Sequence, residues 1–254
     1  MRGAVLYIHP FAEEMNKSRR MAALQSRALA QAGFAVLQVD LLGCGDSSGD
    51  FGDATWPDWV DDVVRAAHWM EQRCATTYTD QSKAPFWLWG LRSGCLLAAQ
   101  AAQEIRPDCN FLLWQPPSSG KTLLNQFMRL KVAGDLLGGQ GKGVMDQMRK
   151  QLAGGQSIEI AGYHLSSGLA NGLETALLTP PPTTDGLSPQ LVLFEVSARN
   201  DASLSPVSAT TLERWKLAGF KTSGHIATGP AFWQTTEIED APELVAATTA
   251  ALCQ

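Results

Sequence analysis

The sequence predicts an α/β fold: a mostly parallel sheet flanked by helices, with a helical lid insertion. Three observations predict it. Short apolar runs alternate with amphipathic stretches of helical length, which is the mark of successive βαβ units. The chain has 254 residues, of which 45% are hydrophobic and 18% charged, enough for one large packed domain. The alternation stops only between about residues 116 and 189, where helical pieces lie among glycines and prolines.

The elements follow in order. Ala4 to Ile8 is an apolar run of strand length, and Lys17 to Ala32 has helical spacing closed by Gly33. Phe34 to Asp40 is the second strand, followed by a glycine-rich loop and a helix from Trp56 to Arg73. Pro85 to Trp89 is the third strand and Ser93 to Ile105 its helix; Phe111 to Trp114 is the fourth strand. The insertion, about 116–189, carries helices over Leu123 to Val132 and Val144 to Leu152 and ends in Pro180-Pro181-Pro182; a segment of this kind forms a lid over a site. Leu191 to Val196, a helix from Pro206 to Leu217, a strand over Phe220 to Ile226 and a helix from Glu237 to Leu252 complete a single domain spanning 1–254.

Composition excludes several functions. The net charge is −5 and no basic stripe is present, which argues against nucleic-acid binding. No apolar run reaches the roughly 18 residues of a membrane span. Met1 to Ile8 reads as a strand rather than a signal sequence, so the expected location is the cytoplasm. Cys44, Cys74, Cys95, Cys109 and Cys253 are odd in number and widely spaced without a CxxC, so neither a disulfide framework nor a metal site is expected, and no cofactor.

Ligands of parallel sheets bind at the carboxyl ends of the strands, so the chemistry belongs in the segments that follow them. Gly43-Cys44-Gly45 with Gly49 imitates a dinucleotide loop, but its glycine spacing is one too long and it follows the second strand. Gly120-Lys121-Thr122 imitates the end of a P-loop, but Pro116 and Pro117 would remove N–H donors from the cradle. The decisive segment is Trp89-Gly90-Leu91-Arg92-Ser93-Gly94-Cys95, a strand–turn–helix matching the nucleophile elbow G-x-[nucleophile]-x-G. The residues two before and two after such an apex must be small, because strand and helix close on each other there. Gly90 and Gly94 therefore set Arg92 at the apex and Ser93 on the first helical turn, where its backbone N–H can serve an oxyanion hole.

Four segments carry a specific resemblance. His9-Pro10-Phe11-Ala12-Glu13-Glu14 resembles the oxyanion loop of the α/β-hydrolase superfamily, with Pro10 in place of the usual glycine. Asp40-Leu41-Leu42-Gly43-Cys44-Gly45-Asp46-Ser47 resembles its D-x-x-G-x-G-x-S loop. With the elbow and Gly229-Pro230-Ala231-Phe232-Trp233-Gln234-Thr235, they resemble hydrolase 2 of exosortase A systems over nearly the whole chain. That resemblance implies an α/β-hydrolase fold, cytoplasmic work beside exopolysaccharide or exosortase machinery, and a protein of that machinery as partner. The fold normally has two strands before the first one here, which implies a minimal or shortened start.

The superfamily order is nucleophile, acid, His. It implies Asp201 as the acid, after the strand Leu191 to Val196. It implies a His before the last helix, where aligning Gly229 puts Phe232, with His225 seven residues earlier as the nearest imidazole. Two readings of Arg92 stand: an anion site beside a helix N-terminus, or a structural pair with Asp201 or Glu13. Ser93 reads as nucleophile or first-turn serine, and His225 as general base or strand histidine. His9, Phe11, Ala12, Glu13 and Phe232 are the candidate substrate- and oxyanion-site residues. The expected activity is acyl or ester hydrolysis with an incomplete triad. The alternative is a catalytically silent protein holding an anionic small molecule or a partner chain.

Overall fold

The structure is a computed structural model that describes residues 1–75, 84–105, 108–137, 143–184 and 186–253. Six strands form a parallel sheet: β1 (Gly3–Ile8), β2 (Phe34–Gln38), β3 (Phe86–Leu91), β4 (Asn110–Trp114), β7 (Gln190–Ser197) and β8 (Lys221–Thr228), in the order β2-β1-β3-β4-β7-β8. Between β4 and β7 two short strands, β5 (Ile158–Ile160) and β6 (Tyr163–Leu165), form an antiparallel hairpin. The helices are α1 (Glu13–Gln31), α2 (Trp56–Ala75), α3 (Ser93–Ala101), α4 (Gly120–Leu137), α5 (Val144–Ala153), α6 (Ser167–Thr175), α7 (Pro206–Leu217) and α8 (Pro242–Leu252). Among the described residues no helix is long and apolar enough to cross a membrane.

The chain folds into two compact units. The first comprises Met1–Val39, Val63–Ser118 and Leu178–Gln254 and holds the six-stranded sheet. Side chains alternate across a strand, so Val5, Tyr7, Trp87, Trp89, Leu91, Leu112, Trp114 and Phe194 share one face. They pack with Met21, Ala22 and Leu29 of α1 and Leu244 and Leu252 of α8. Trp114 adds direction to this packing, because its indole N–H donates to Thr248 Oγ1 of α8 at 3.0 Å. On the opposite face the Phe111 ring meets Trp215 of α7 at 4.7 Å. All five cysteines are free thiols.

The second unit comprises Asp40–Asp62 and Ser119–Leu177. Its centre is aromatic: Phe51 lies 5.8 Å from Trp59 and 5.1 Å from Tyr163, and Phe127 lies 6.2 Å from Tyr163. The two nucleotide-like glycine motifs both lie here and both have structural work. Trp59 Nε1 donates to the Leu42 carbonyl, and the Leu42 N–H donates to Asp62, which fixes the Gly43–Gly45 loop. Gly120 opens α4 where a Cβ would stand 1.9 Å from the Leu173 carbonyl oxygen, so that glycine admits α6 rather than a phosphate.

Several helix boundaries depart from the sequence expectation, among them α4, which spans Gly120–Leu137 rather than Leu123 to Val132. The first helix begins at Glu13, four residues before Lys17, where two acids suit a helix N-terminus. The helix after β3 ends at Ala101 rather than Ile105. The last helix begins at Pro242, not Glu237, since proline fits the first helical position and lacks the N–H an interior needs.

Candidate active site

The elbow forms where β3 meets α3. Arg92 is its apex, with φ 53° and ψ −116°, a conformation rare for a residue with a side chain. The flanking glycines are sterically required. A Cβ on Gly90 would stand 2.5 Å from the Cys95 nitrogen, and one on Gly94 would stand 2.2 Å from the Ile8 carbonyl oxygen. The Arg92 N–H donates to the Trp114 carbonyl at 3.0 Å, which ties the apex to the end of β4.

The guanidinium turns to α1. Arg92 Nε donates to both oxygens of Glu14, at 3.2 and 3.3 Å, and Nη2 lies 3.2 Å from Glu14 Oε1. The two side chains are 10% and 12% exposed. The Trp233 ring lies 5.8 Å from the guanidinium carbon, within cation–π range. Burial pushes Glu14 up to about 7 against the opposing pull of Arg92, and the Gln234 side chain hydrogen-bonds the same carboxyl. Burial also raises Glu13, whose Oε2 is buried without a hydrogen-bond partner. The structure thus pairs Arg92 with Glu14 rather than with Glu13 or Asp201. Ala12, with φ 50° and ψ −128°, sets the start of α1 and so decides which glutamate turns inward.

The other sequence-predicted residues do not converge on Ser93. Its side chain is fully buried and its hydroxyl has no hydrogen-bond partner. His225 lies within β8, not in a loop after it; its Nε2 is 3.2 Å from Ser223 Oγ, and its ring stacks on Phe194 at 4.9 Å. Burial lowers its pKa. Asp201 is exposed in the turn between β7 and α7 and makes no described ion pair with Arg92 or His225. His9 is buried at the end of β1, where Nδ1 donates to the Pro10 carbonyl at 2.8 Å. Phe11 and Ala12 are buried in the turn into α1. Phe232, expected at the site, is a fully buried core residue edge-on to Trp114 and Trp233, because the segment after β8 folds back onto the sheet.

A family model described as "Serine aminopeptidase, S33" matches residues 1–137, more than half of the chain and the whole elbow. The chain belongs to this serine aminopeptidase family of α/β-hydrolases. No curated protein matches the sequence. Among solved structures, the esterase Est1E from Butyrivibrio proteoclasticus with ferulic acid bound is similar at TM-score 0.62 and 15% identity, over 99% of this chain and 86% of that one. The metagenome-derived lipolytic enzymes LipS and LipT give 0.54 and 18%, over 99% and 93%. Mouse alpha/beta hydrolase domain-containing protein 10 gives 0.55 and 16%, over 98% and 89%. At such identities the likeness is one of fold.

Of Glu13 and Glu14, which the sequence places near the strand end, it is Glu14 that pairs with Arg92, and a further carboxylate, Glu195, is also engaged. Glu14 holds the apex side chain. Glu195, near the end of β7, accepts the Ser205 N–H at 2.9 Å and the hydroxyls of Ser205 and Ser208, and so caps α7. Gln115 after β4 has φ 46°, and its Oε1 accepts the Val196 N–H at 2.8 Å. The signal for Glu195 is the serine pair three residues apart at a helix start. Among the described residues no group of three His, Cys, Asp or Glu is placed to hold a metal ion.

Proposed function

We propose that this chain is a catalytically silent α/β-hydrolase-fold protein that holds a small anionic molecule at Arg92, where an active relative would carry its nucleophile. One observation carries this: the apex guanidinium, nine-tenths buried, already grips a carboxylate through Nε and Nη2. A planar guanidinium at a helix N-terminus is a good receptor for carboxylate or phosphate. Nucleophilic catalysis needs a base within about 3 Å of the hydroxyl, and Ser93 Oγ has no such neighbour. The setting follows from the resemblance to hydrolase 2 of exosortase A systems, with a protein of the exopolysaccharide machinery as a partner.

Thermal denaturation with added acetate or phosphate tests the reading. The melting temperature of the wild type rises with anion concentration, as mass action requires of a ligand that binds the native state. In Arg92→Ala the rise disappears, and in Ser93→Ala it remains. An undiminished rise in Arg92→Ala removes the Arg92 site.

The second reading is an acyl or ester hydrolase. It is favoured by the retained elbow strain at Arg92 and by the matching strain at Ala12 in the oxyanion loop. It requires turnover of short acyl esters that is lost in both Ser93→Ala and His225→Ala.

A further inference from the structure

We propose that Glu14 is the resident anion of the Arg92 site, and that a carboxylate ligand takes its place on the guanidinium while Glu14 takes up one proton from solvent. This rests on the anion-site reading above. The same edge of Arg92, Nε with Nη2, is filled by both oxygens of Glu14, so a ligand carboxylate reaches that edge only by displacing it. Both side chains are largely buried, at 10% and 12% exposure, and a second carboxylate beside Glu14 would add another buried anion. Buried uncompensated charge is costly, and the group neutralises instead. Burial raises Glu14 to about 7, so little is needed for that proton to bind near neutral pH.

Two neighbouring residues carry buried polar atoms without a hydrogen-bond partner. Ser93 follows Arg92 in the chain, and its hydroxyl is buried and unpartnered. Trp233 lies under the guanidinium, and its indole N–H is buried and unpartnered too. Buried donors are normally satisfied, and Glu14 satisfies neither of these.

The charged neighbours of Glu14 are Arg92 from the elbow and Glu13 on the same helix; Lys17 acts on Glu13. The segment after β8 contributes only the neutral Trp233 and Gln234.

Acetate keeps its single charge between about pH 6 and pH 8. It is titrated into isotopically labelled protein while the Arg92 Nε–H and Glu14 carboxyl-carbon NMR signals are followed. The expected dissociation constant is roughly tenfold lower at pH 6 than at pH 8, with the Glu14 carbon moving toward its protonated position on binding. Glu14→Gln is expected to bind acetate equally at both pH values. Equal affinity at both pH values in the wild type, a static Glu14 signal, or pH dependence that survives in Glu14→Gln overturns the exchange while leaving the Arg92 site intact. No binding by either protein at either pH overturns the anion-site reading itself. If Glu14→Gln does not fold, the wild-type affinities and the Glu14 carbon signal decide between the same outcomes.

Discussion

At the scale of single residues, the Arg92–Glu14 pair is a poor stabiliser in a demanding place. Removing two charges from water costs several kcal/mol each, and their attraction offsets this only with good geometry. Here the carboxylate is gripped by two nitrogens, yet burial still outweighs the guanidinium and leaves Glu14 near 7 against an ordinary value of 4.5. A carboxyl whose folded value is raised binds more protons folded than unfolded. Its contribution to stability is full below about pH 4.5 and is lost as pH climbs through about 7. Urea denaturation across that window is expected to show the wild type losing on the order of 3 kcal/mol more than Glu14→Gln, as an upper bound. Parallel stability curves for the two proteins would show that Glu14 titrates normally.

The same residues show what sequence can and cannot reveal. The apex is legible because two glycines at fixed spacing bracket one position, and the contacts of Gly90 and Gly94 are the physical reason. The partner is not legible. Glu13 and Glu14 are neighbours, and neighbours on a helix point about 100° apart. Which one faces Arg92 depends on where α1 begins, and that is set by a positive φ at Ala12 that no propensity encodes.

At the scale of elements, the elbow is a junction of strand and helix held at contact distance. Gly94→Ala pushes a methyl to 2.2 Å from the Ile8 carbonyl, which is backbone and cannot rotate away. A loss of about 2 kcal/mol or more in denaturant unfolding is expected, with displacement of α3 from β1. Gly134→Ala, within α4 and with nothing inside 4 Å of the new Cβ, is the control and should be neutral or stabilising by up to about 1 kcal/mol. Equal effects of the two changes would remove the steric account of the elbow. Element order in the sheet is readable from the alternation of runs. The hairpin β5–β6 is not, because strands of three residues lie below what a period of two can signal. Neither is the grouping of Asp40–Asp62 with Ser119–Leu177, which joins segments far apart in the chain.

At the scale of the whole molecule, the parallel sheet brings the ends of β1, β3 and β4 to one edge, and each is followed by a non-glycine residue at positive φ: Ala12, Arg92 and Gln115. The framework of a hydrolase site is therefore retained at the level of backbone. The side chains to which the superfamily order points lie apart: Phe232 in the core, His225 stacked on Phe194, Asp201 at the surface. A fold can be kept by packing while a site changes by a few substitutions, and fold alone does not assign chemistry. Fluorophosphonate labelling of the intact protein, read by mass spectrometry of the peptide containing Arg92 and Ser93, puts this most directly. No adduct on Ser93 is expected after prolonged exposure; an adduct on Ser93 that forms readily and is lost in His225→Ala would contradict the account.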